Sequence, residues 1–598
     1  MQKAILHRGP DDQGILIDPH GHWGLAHTRL SILDLSAFGR QPMSTPDGKF
    51  HLVFNGEIYN FRDLRDRLEK SGHHFTSGTD TEVLLELLAR DGHSVLPRLR
   101  GMYAFGLLRA EDGHVLLARD SFGIKPLYTA IGPDGELIFA SEVRAILASG
   151  RIARKINPTG MDGYLRTGSL PQPHSLVQGT YQQHAGTWSE YLPHQAQPGS
   201  HLPAKAYFQI GFGARPIPAS PQEILAQVRQ SLEDTLEAHF VSDVPVGLFL
   251  SGGIDSTALA ALTAASGRKG LRSYSLGYRE SQYDESALTR RVARRFGMDH
   301  HFLRLGPDNG RELFQGYLDS LDQPTYDGFN TYCVSSLAAR DGTKVVLSGL
   351  GGDEVFGGYG SFYRVPELYQ LALRYGPRPV LGRLFQSLPS SRIRRMAELW
   401  TTPATLERTF SNFRGNFTAR ESAYLAKRLG VEGPAWDPVA DLYGSDGQID
   451  RARFPSDVDA VGYFELARYM RQQLLKDSDV LSMTHGLELR VPLVDTGLFG
   501  TIHDLPSAVR YQPGKNLLVS AVPEIPEYVW NHPKVGFSLP VDRWMKGPWL
   551  DLFQDVPRQF PWALLSPWYR IWSLKTLTHW LEHNGFETAS QQMGDRRW

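Results

Sequence analysis

A single cysteine, Cys333, serves a chain of 598 residues. That scarcity excludes an internal disulfide framework and fits a reducing compartment. An excess of charge of either sign is also missing, because 63 basic and 64 acidic side chains leave a formal charge of −1. Such a balance offers no bulk attraction to nucleic acid or to an anionic membrane, and neither is expected as a partner. No apolar run approaches the roughly 18–20 residues of a membrane span. No charged-apolar-small leader opens the sequence, so a cytoplasmic protein is expected. The His73-His74 and His300-His301 pairs lack the cysteine or histidine spacing of a zinc site. No internal repeat is present, and the length admits two or more domains, each with its own core.

What is present begins with Ser251-Gly252-Gly253-Ile254-Asp255-Ser256, set between the apolar run Val244 to Leu250 and a helix-forming run from Thr257. Small residues at such a strand-to-helix turn let backbone N–H groups approach an anion, and the helix dipole favours negative charge at the same point. The lysine of the G-x-x-x-x-G-K-[ST] loop is absent, and Asp255 stands in the turn instead. An acid beside phosphates calls for a cation between them, for which Mg²⁺ has the matching oxygen preference. The strand-like run Lys344 to Leu347 likewise enters Ser348-Gly349-Leu350-Gly351-Gly352-Asp353-Glu354. Ligands of parallel α/β sheets collect at strand carboxyl ends, so Asp255 and Asp353 are expected to face one metal-pyrophosphate. Arg272 to Gly277 reads as a further strand and Asp284 to Gly297 as a capped helix, together a doubly wound α/β unit.

These residues resemble the ATP pyrophosphatase, or PP-loop, domain of the glutamine-dependent asparagine synthetases. Asp322-Gln323-Pro324 with Asp327, Leu487 to Asp495, and Lys534-Val535-Gly536-Phe537 with Pro540 extend the likeness in family order. Upstream, His7 to Asp11, Arg29 to Ile32, Asn55 to Asn60, Thr79 to Glu82 and Gly101 to Phe105 are similar to the glutaminase domain of class II amidotransferases. The resemblance implies an Ntn-type αββα sandwich, truncated and lacking its first strand, over residues 1–167. Residues 168–220, rich in Pro, Gln, His and Ser with little periodicity, read as a linker, and the resemblance implies a doubly wound parallel α/β synthetase domain with helical additions over 221–598. A tail holding Trp562, Trp568, Trp572 and Trp580 reads as a helical packing element.

The same resemblance assigns roles. Asn55 and Gly56 would form an oxyanion hole, Arg29 would take the glutamine carboxylate, and Glu57 and Asp80 its ammonium. Leu250, Ser251, Gly252, Gly253, Asp255, Ser256, Leu276, Ser348 and Gly349 would bind ATP. Asp255 and Asp353 would bind Mg²⁺, and Lys515 and Asp479 would be catalytic. The implied reaction amidates aspartate through an acyl-adenylate, releasing AMP and diphosphate, with nitrogen from glutamine or ammonia. Family members open with a nucleophilic cysteine, whereas this sequence opens Met1-Gln2-Lys3. The expectation is a native start lying upstream; loss of glutaminase activity is the alternative. Leu350 and Val480 depart from the aspartate-using pattern. An amidotransferase acting on another carboxylate in metabolite or surface-saccharide synthesis, a cyclase of β-lactam or lasso-peptide type and a non-catalytic binding protein remain as rivals. A homodimer stays open.

Overall fold

Two sheets of opposite kind organise the chain in the computed structural model, which describes residues 1–193, 195–213, 220–386, 388, 390–439, 453–532, 539–561 and 564–587. The first is six-stranded and antiparallel throughout, in the order Ala204–Ala206, Thr187–Tyr191, His114–Arg119, Gly101–Arg109, Phe50–Ile58, Met43–Ser44. Its central ladder runs from Phe50 opposite Arg109 to Ile58 opposite Gly101. Alternation along these strands feeds two cores, as the two-residue period of a strand requires. Leu52, Phe54, Tyr103 and Phe105 face the helices Phe61–Lys70 and Asp80–Asp91. Val53, Ala104 and Leu108 face Ile131 of a second sheet and Leu127 just before it; the strands of that sheet are Leu137–Ala140, Tyr128–Ile131 and Thr180–Gln182. Beyond that sheet lie the helices Val143–Leu147 and Pro158–Thr167, which complete an αββα sandwich.

Residues 168–220, read from composition as a linker, carry three of these strands among the described positions. Thr180–Gln182 joins the smaller sheet, and Thr187–Tyr191 with Ala204–Ala206 widens the larger one. Proline, glutamine and glycine around them hide a local β signal, Thr187-Trp188-Ser189-Glu190-Tyr191, whose β-branched and aromatic residues suit a pleated surface.

The second large sheet is parallel and five-stranded, in the order Asp299–Leu305, Arg272–Tyr278, Val246–Phe249, Val345–Leu347, Glu488–Arg490. Chain order runs outward in one direction from Val246–Phe249 and in the other from Val345–Leu347, so the reversal falls between these two neighbours. That is the place where open α/β sheets leave a crevice. The helix expected over Asp284 to Gly297 spans Ser286–Arg295. Asp284 accepts from the Ser286 N–H at 3.2 Å just before it, and Gly297, with φ of 63°, follows it.

One continuous helical run, Asp457–Phe464, Glu465–Leu475 and Lys476–Met483, is π-helical in its middle segment. Sequence periodicity does not show such a widening, which is frequent at functional sites. The closing helix Tyr569–His583 buries Trp572 and Trp580 against Phe314 and Trp549, as an aromatic packing element should. Trp562 lies outside the described residues. Among the described residues, no helix is long and apolar enough to cross a membrane.

Candidate functional site

The crevice at the strand reversal is a cavity of about 480 Å³. Register sets Val246 level with Val345 and Leu248 with Leu347, so both strands deliver their loops to one place. The Ser256 hydroxyl closes the first loop. It accepts from the Ser251 N–H at 3.0 Å and lies 2.9 Å from the Ser251 hydroxyl. The following helix, Ile254–Ala265, starts at Gly253 without a side-chain cap. Its first N–H groups therefore remain available to an anion. A side chain at Gly352 would place its Cβ 2.2 Å from Asp255 Oδ1, and glycine there lets the two loops close on each other.

Lys515 joins them. Its ammonium lies 2.5 Å from both Asp255 Oδ2 and Asp353 Oδ1. The residue holds a left-handed backbone at φ of 56°, a conformation that costs a non-glycine residue energy and concentrates at functional sites. Burial alone would depress its pKa, but the Asp255 and Asp353 charges outweigh burial and raise it. The lysine is therefore a fixed cation. Beside it, burial first, with Asp353 and Glu465 adding repulsion, pushes Glu354 up to about 8, and Tyr359 donates to this carboxyl at 2.9 Å. Burial likewise pushes Asp477 up to about 7.

Leu250, Ser251, Gly252, Gly253, Asp255 and Ser256 all line this one cavity. Leu276, Ser348, Gly349, Asp353 and Lys515 line it too. Asp479 does not, although its neighbours Asp477 and Ser478 do. It turns to Arg8 at 2.6 Å and Lys125 at 3.3 Å. Lys534, Val535, Gly536 and Phe537 lie outside the described residues.

A second cavity, of about 430 Å³, gathers Arg29, Asn55, Gly56, Glu57 and Asp80 in the αββα sandwich. The Asn55 Nδ2 is buried without a hydrogen-bond partner, as is the His27 Nδ1 of the same cavity. Gly56 has φ of 148°, and a Cβ there would lie 2.0 Å from the Met102 carbonyl oxygen, so the Asn-Gly step tolerates no larger second residue. Arg29 donates to the backbone carbonyls of Leu33, Asp34 and Ser36 at 3.2, 2.5 and 2.9 Å. Asp80 opens the helix Asp80–Asp91 and accepts from the Ile58 N–H at 2.8 Å. Burial pushes its carboxyl up to about 6. His27, which the sequence reading passed over, also lines the cavity and is held down to about 4 by burial.

Between the cavities runs a seam of buried alternating charge. Glu142 meets Arg8 at 2.9 Å, and Arg8 meets Asp479 at 2.6 Å. Asp479 meets Lys125 at 3.3 Å, and Lys125 meets Glu488 at 3.6 Å. Glu488 meets Arg490 at 2.9 Å, and Arg490 meets Glu57 at 3.0 Å. Its members come from both halves of the chain, and Glu57 is also a wall of the second cavity. Desolvation pushes the Glu57 carboxyl well above the usual range, against the pull of Arg490. The Arg490 carbonyl in turn accepts from the Ser348 N–H at 2.9 Å, at the mouth of the first cavity. Sequence reasoning quoted Arg8, Glu488 and Arg490 inside longer motifs but could not pair them; Arg8 and Asp479 are 471 positions apart.

Comparison with known proteins gives two family matches, "Asparagine synthase" over residues 227–564 and "Glutamine amidotransferase domain" over residues 1–201. The chain is 31% identical over 557 residues to asparagine synthetase [glutamine-hydrolyzing] 1 of Bacillus subtilis, covering 91% of this chain and 84% of that protein. It is 32% identical over 568 residues to a putative asparagine synthetase [glutamine-hydrolyzing] of Mycobacterium tuberculosis, with the same two shares of 91% and 84%. Amidase chry2 of Gibberella zeae is 26% identical over 594 residues, covering 91% of this chain and 85% of that protein.

Proposed function

The chain belongs to the asparagine synthase family, and from that premise we propose that it is an ATP-dependent ligase that amidates a small carboxylic acid through an acyl-adenylate. Nitrogen arrives as ammonia, free or released from glutamine in the second cavity. The names of the bacterial relatives carry asparagine as the product, which makes aspartate the first acid to test; one relative of similar coverage is named an amidase.

The carrying observation is the convergence of Lys515, Asp255 and Asp353 within 2.5 Å at the ends of two adjacent parallel strands. The two carboxylates already share one cation, and their donor chemistry suits Mg²⁺ completed by phosphate and water oxygens. When bound, Mg²⁺ neutralises phosphate charge. The N–H groups at Gly252 and Gly253 and the start of the helix Ile254–Ala265 would hold phosphate oxygens. Leu250 and Leu276 supply apolar wall for the adenine. An acceptor carboxylate oxygen attacks the α-phosphorus, and the bond to diphosphate breaks with its electron pair on the leaving group. Lys515, charged whatever the solvent pH near neutrality, stabilises the negative charge that gathers there. Ammonia then attacks the acyl carbon, AMP leaves with the carbon–oxygen pair, and nitrogen gives up a proton.

On the glutamine side, the unpaired Asn55 Nδ2 and the Gly56 N–H, both lining the second cavity, would donate to an oxyanion. Glu57 and Asp80 supply acids for an ammonium, and Arg29 a cation for a carboxylate. The test is release of AMP and diphosphate from Mg-ATP with ammonium and a panel of acids, read with product mass. Turnover that disappears in Asp255→Ala is expected; no AMP with any acid would sink the ligase reading.

A further inference from the structure

We propose that the helices over residues 361–398 form a docking surface for a bilayer that carries anionic headgroups. The near-neutral charge of the whole chain, which speaks against such a partner in bulk, conceals a local excess. Arg364, Arg374, Arg378, Arg383 and Arg392 are exposed in this stretch, against the exposed acid Glu367. Large apolar side chains share the surface with them. Leu371 and Tyr375 lie one turn apart at the end of the helix Ser361–Tyr375, and Val380, Leu381 and Leu384 lie on the next helix, Pro379–Gln386. Gly376, Pro377 and Arg378 alone separate the two helices, so their apolar groups adjoin. The Arg378 guanidinium stands 5.7 Å from the centre of the Tyr375 ring, which mixes cation and apolar surface at the junction.

The second of these helices is reversed in its amphipathic sense. Its packed side is made by Gly382 and Phe385: a Cβ at Gly382 would lie 2.7 Å from the Thr401 side chain and 3.0 Å from the Ala397 carbonyl oxygen, and the Phe385 ring lies 5.5 Å from that of Trp400. The Arg378 N–H donates to the Trp400 carbonyl at 2.8 Å and holds the start of the helix. With that side fixed, Val380 at 80% exposure and Leu384 at 64% face outward, where a helix in water carries polar residues. Adjoining exposed apolar side chains mark an interaction site. The charge pattern selects the occupant. At a bilayer surface aliphatic side chains enter the acyl boundary while guanidinium groups stay at the phosphates, which is the mixture found here. Helices of 15 and 8 residues are too short to span, so they would lie in that boundary. A second copy of the chain pairing through the same face would set arginine against arginine, a like-charge arrangement that costs affinity.

The proposal is independent of the ligase reading, and its test reads binding rather than turnover. The full chain is sedimented with vesicles of phosphatidylcholine alone and of phosphatidylcholine mixed with phosphatidylglycerol. Partition onto the anionic vesicles is expected to exceed that onto the neutral ones by about tenfold or more, and to fall as salt is raised. Val380→Asp combined with Leu384→Asp, and separately Arg378→Glu combined with Arg383→Glu, are each expected to lower it by about tenfold. Circular dichroism and Mg-ATP binding should stay unchanged in both, because these side chains are exposed and line neither cavity. Equal partition onto the two kinds of vesicle, binding to neither, or undiminished binding by both variants overturns the proposal. So does a concentration-dependent dimer that Val380→Asp with Leu384→Asp dissociates, since the face would then belong to a second copy.

Discussion

The two cavities balance their charge in different ways. In the cleft of the parallel sheet, cation and anions belong to one domain: Lys515 reaches Asp255 and Asp353 across loops of that single sheet. In the αββα sandwich, Glu57 finds its cation across the domain boundary, at Arg490. The first arrangement is partly open, since the Asp255 and Asp353 side chains keep 18% and 17% of their exposure. The second is closed, with Arg490 at 0% and Glu57 at 7%. A charge that water can still reach is free to exchange partners with a ligand. One sealed at a boundary holds the boundary together, and its loss cannot be repaired by solvent.

Arg490→Met should therefore have the largest effect. It strands Glu57 and Glu488 in the interior, a loss of about 3–5 kcal/mol by the general cost of breaking a buried pair, read as a fall in the denaturant midpoint. Adding Glu57→Gln should return part of that loss in a double-mutant cycle. Lys515→Met comes next and should separate from it in kind. Turnover with ammonium should drop by about 10²–10³, the typical effect of removing one electrostatic stabiliser, while the unfolding midpoint moves little. If Lys515→Met unfolds the protein as readily as Arg490→Met does, the contrast between an exchangeable and a sealed cation fails.

The same contrast decides what could be read from the sequence. The cleft was legible because its parts are short local patterns: a strand, glycines and an acid, repeated at Ser251 to Asp255 and at Ser348 to Asp353. Lys515 and the five sandwich residues needed the family resemblance, since a lone lysine or arginine has no local signature. The seam was illegible for a physical reason: an ion pair between Lys125 and Asp479, 354 positions apart, leaves no periodicity behind. Asp479 shows the consequence. The family resemblance implied a catalytic role for it, yet consecutive helical residues face different directions, and it points to Arg8 at the boundary. The π-helical stretch Glu465–Leu475 was hidden likewise, being a change of pitch that an amphipathic pattern does not report.

Smaller effects refine the comparison within each cavity. Glu354 belongs to the cleft but is sealed like the seam, at 1% exposure. Its carboxyl is raised from 4.5 to about 8, so in that window the folded protein holds a proton that the unfolded chain has released. Stability contributed in this way is complete below the unfolded value and is lost as pH rises through the folded one. Melting temperature should accordingly decline across the window, and Glu354→Gln, which keeps an oxygen for Tyr359, should flatten that decline. An equal slope in the variant would mean that the carboxyl is not sealed.

The smallest expected change lies at Thr79. Its hydroxyl accepts from the Glu82 N–H at 3.2 Å and caps the helix whose first residue is Asp80. Thr79→Ala should cost about 1 kcal/mol, the usual worth of an N-cap, and Thr79→Ser should recover most of it. Asp80 also accepts from Ile58, next to Glu57 on the strand that carries Asn55. Fraying of this helix end should therefore weaken glutamine binding to the second cavity, measured by calorimetry. Mg-ATP binding in the cleft, whose charges are balanced within its own domain, should stay unchanged. A matching loss at both sites would show that the seam couples the cavities more tightly than their separate charge balance implies.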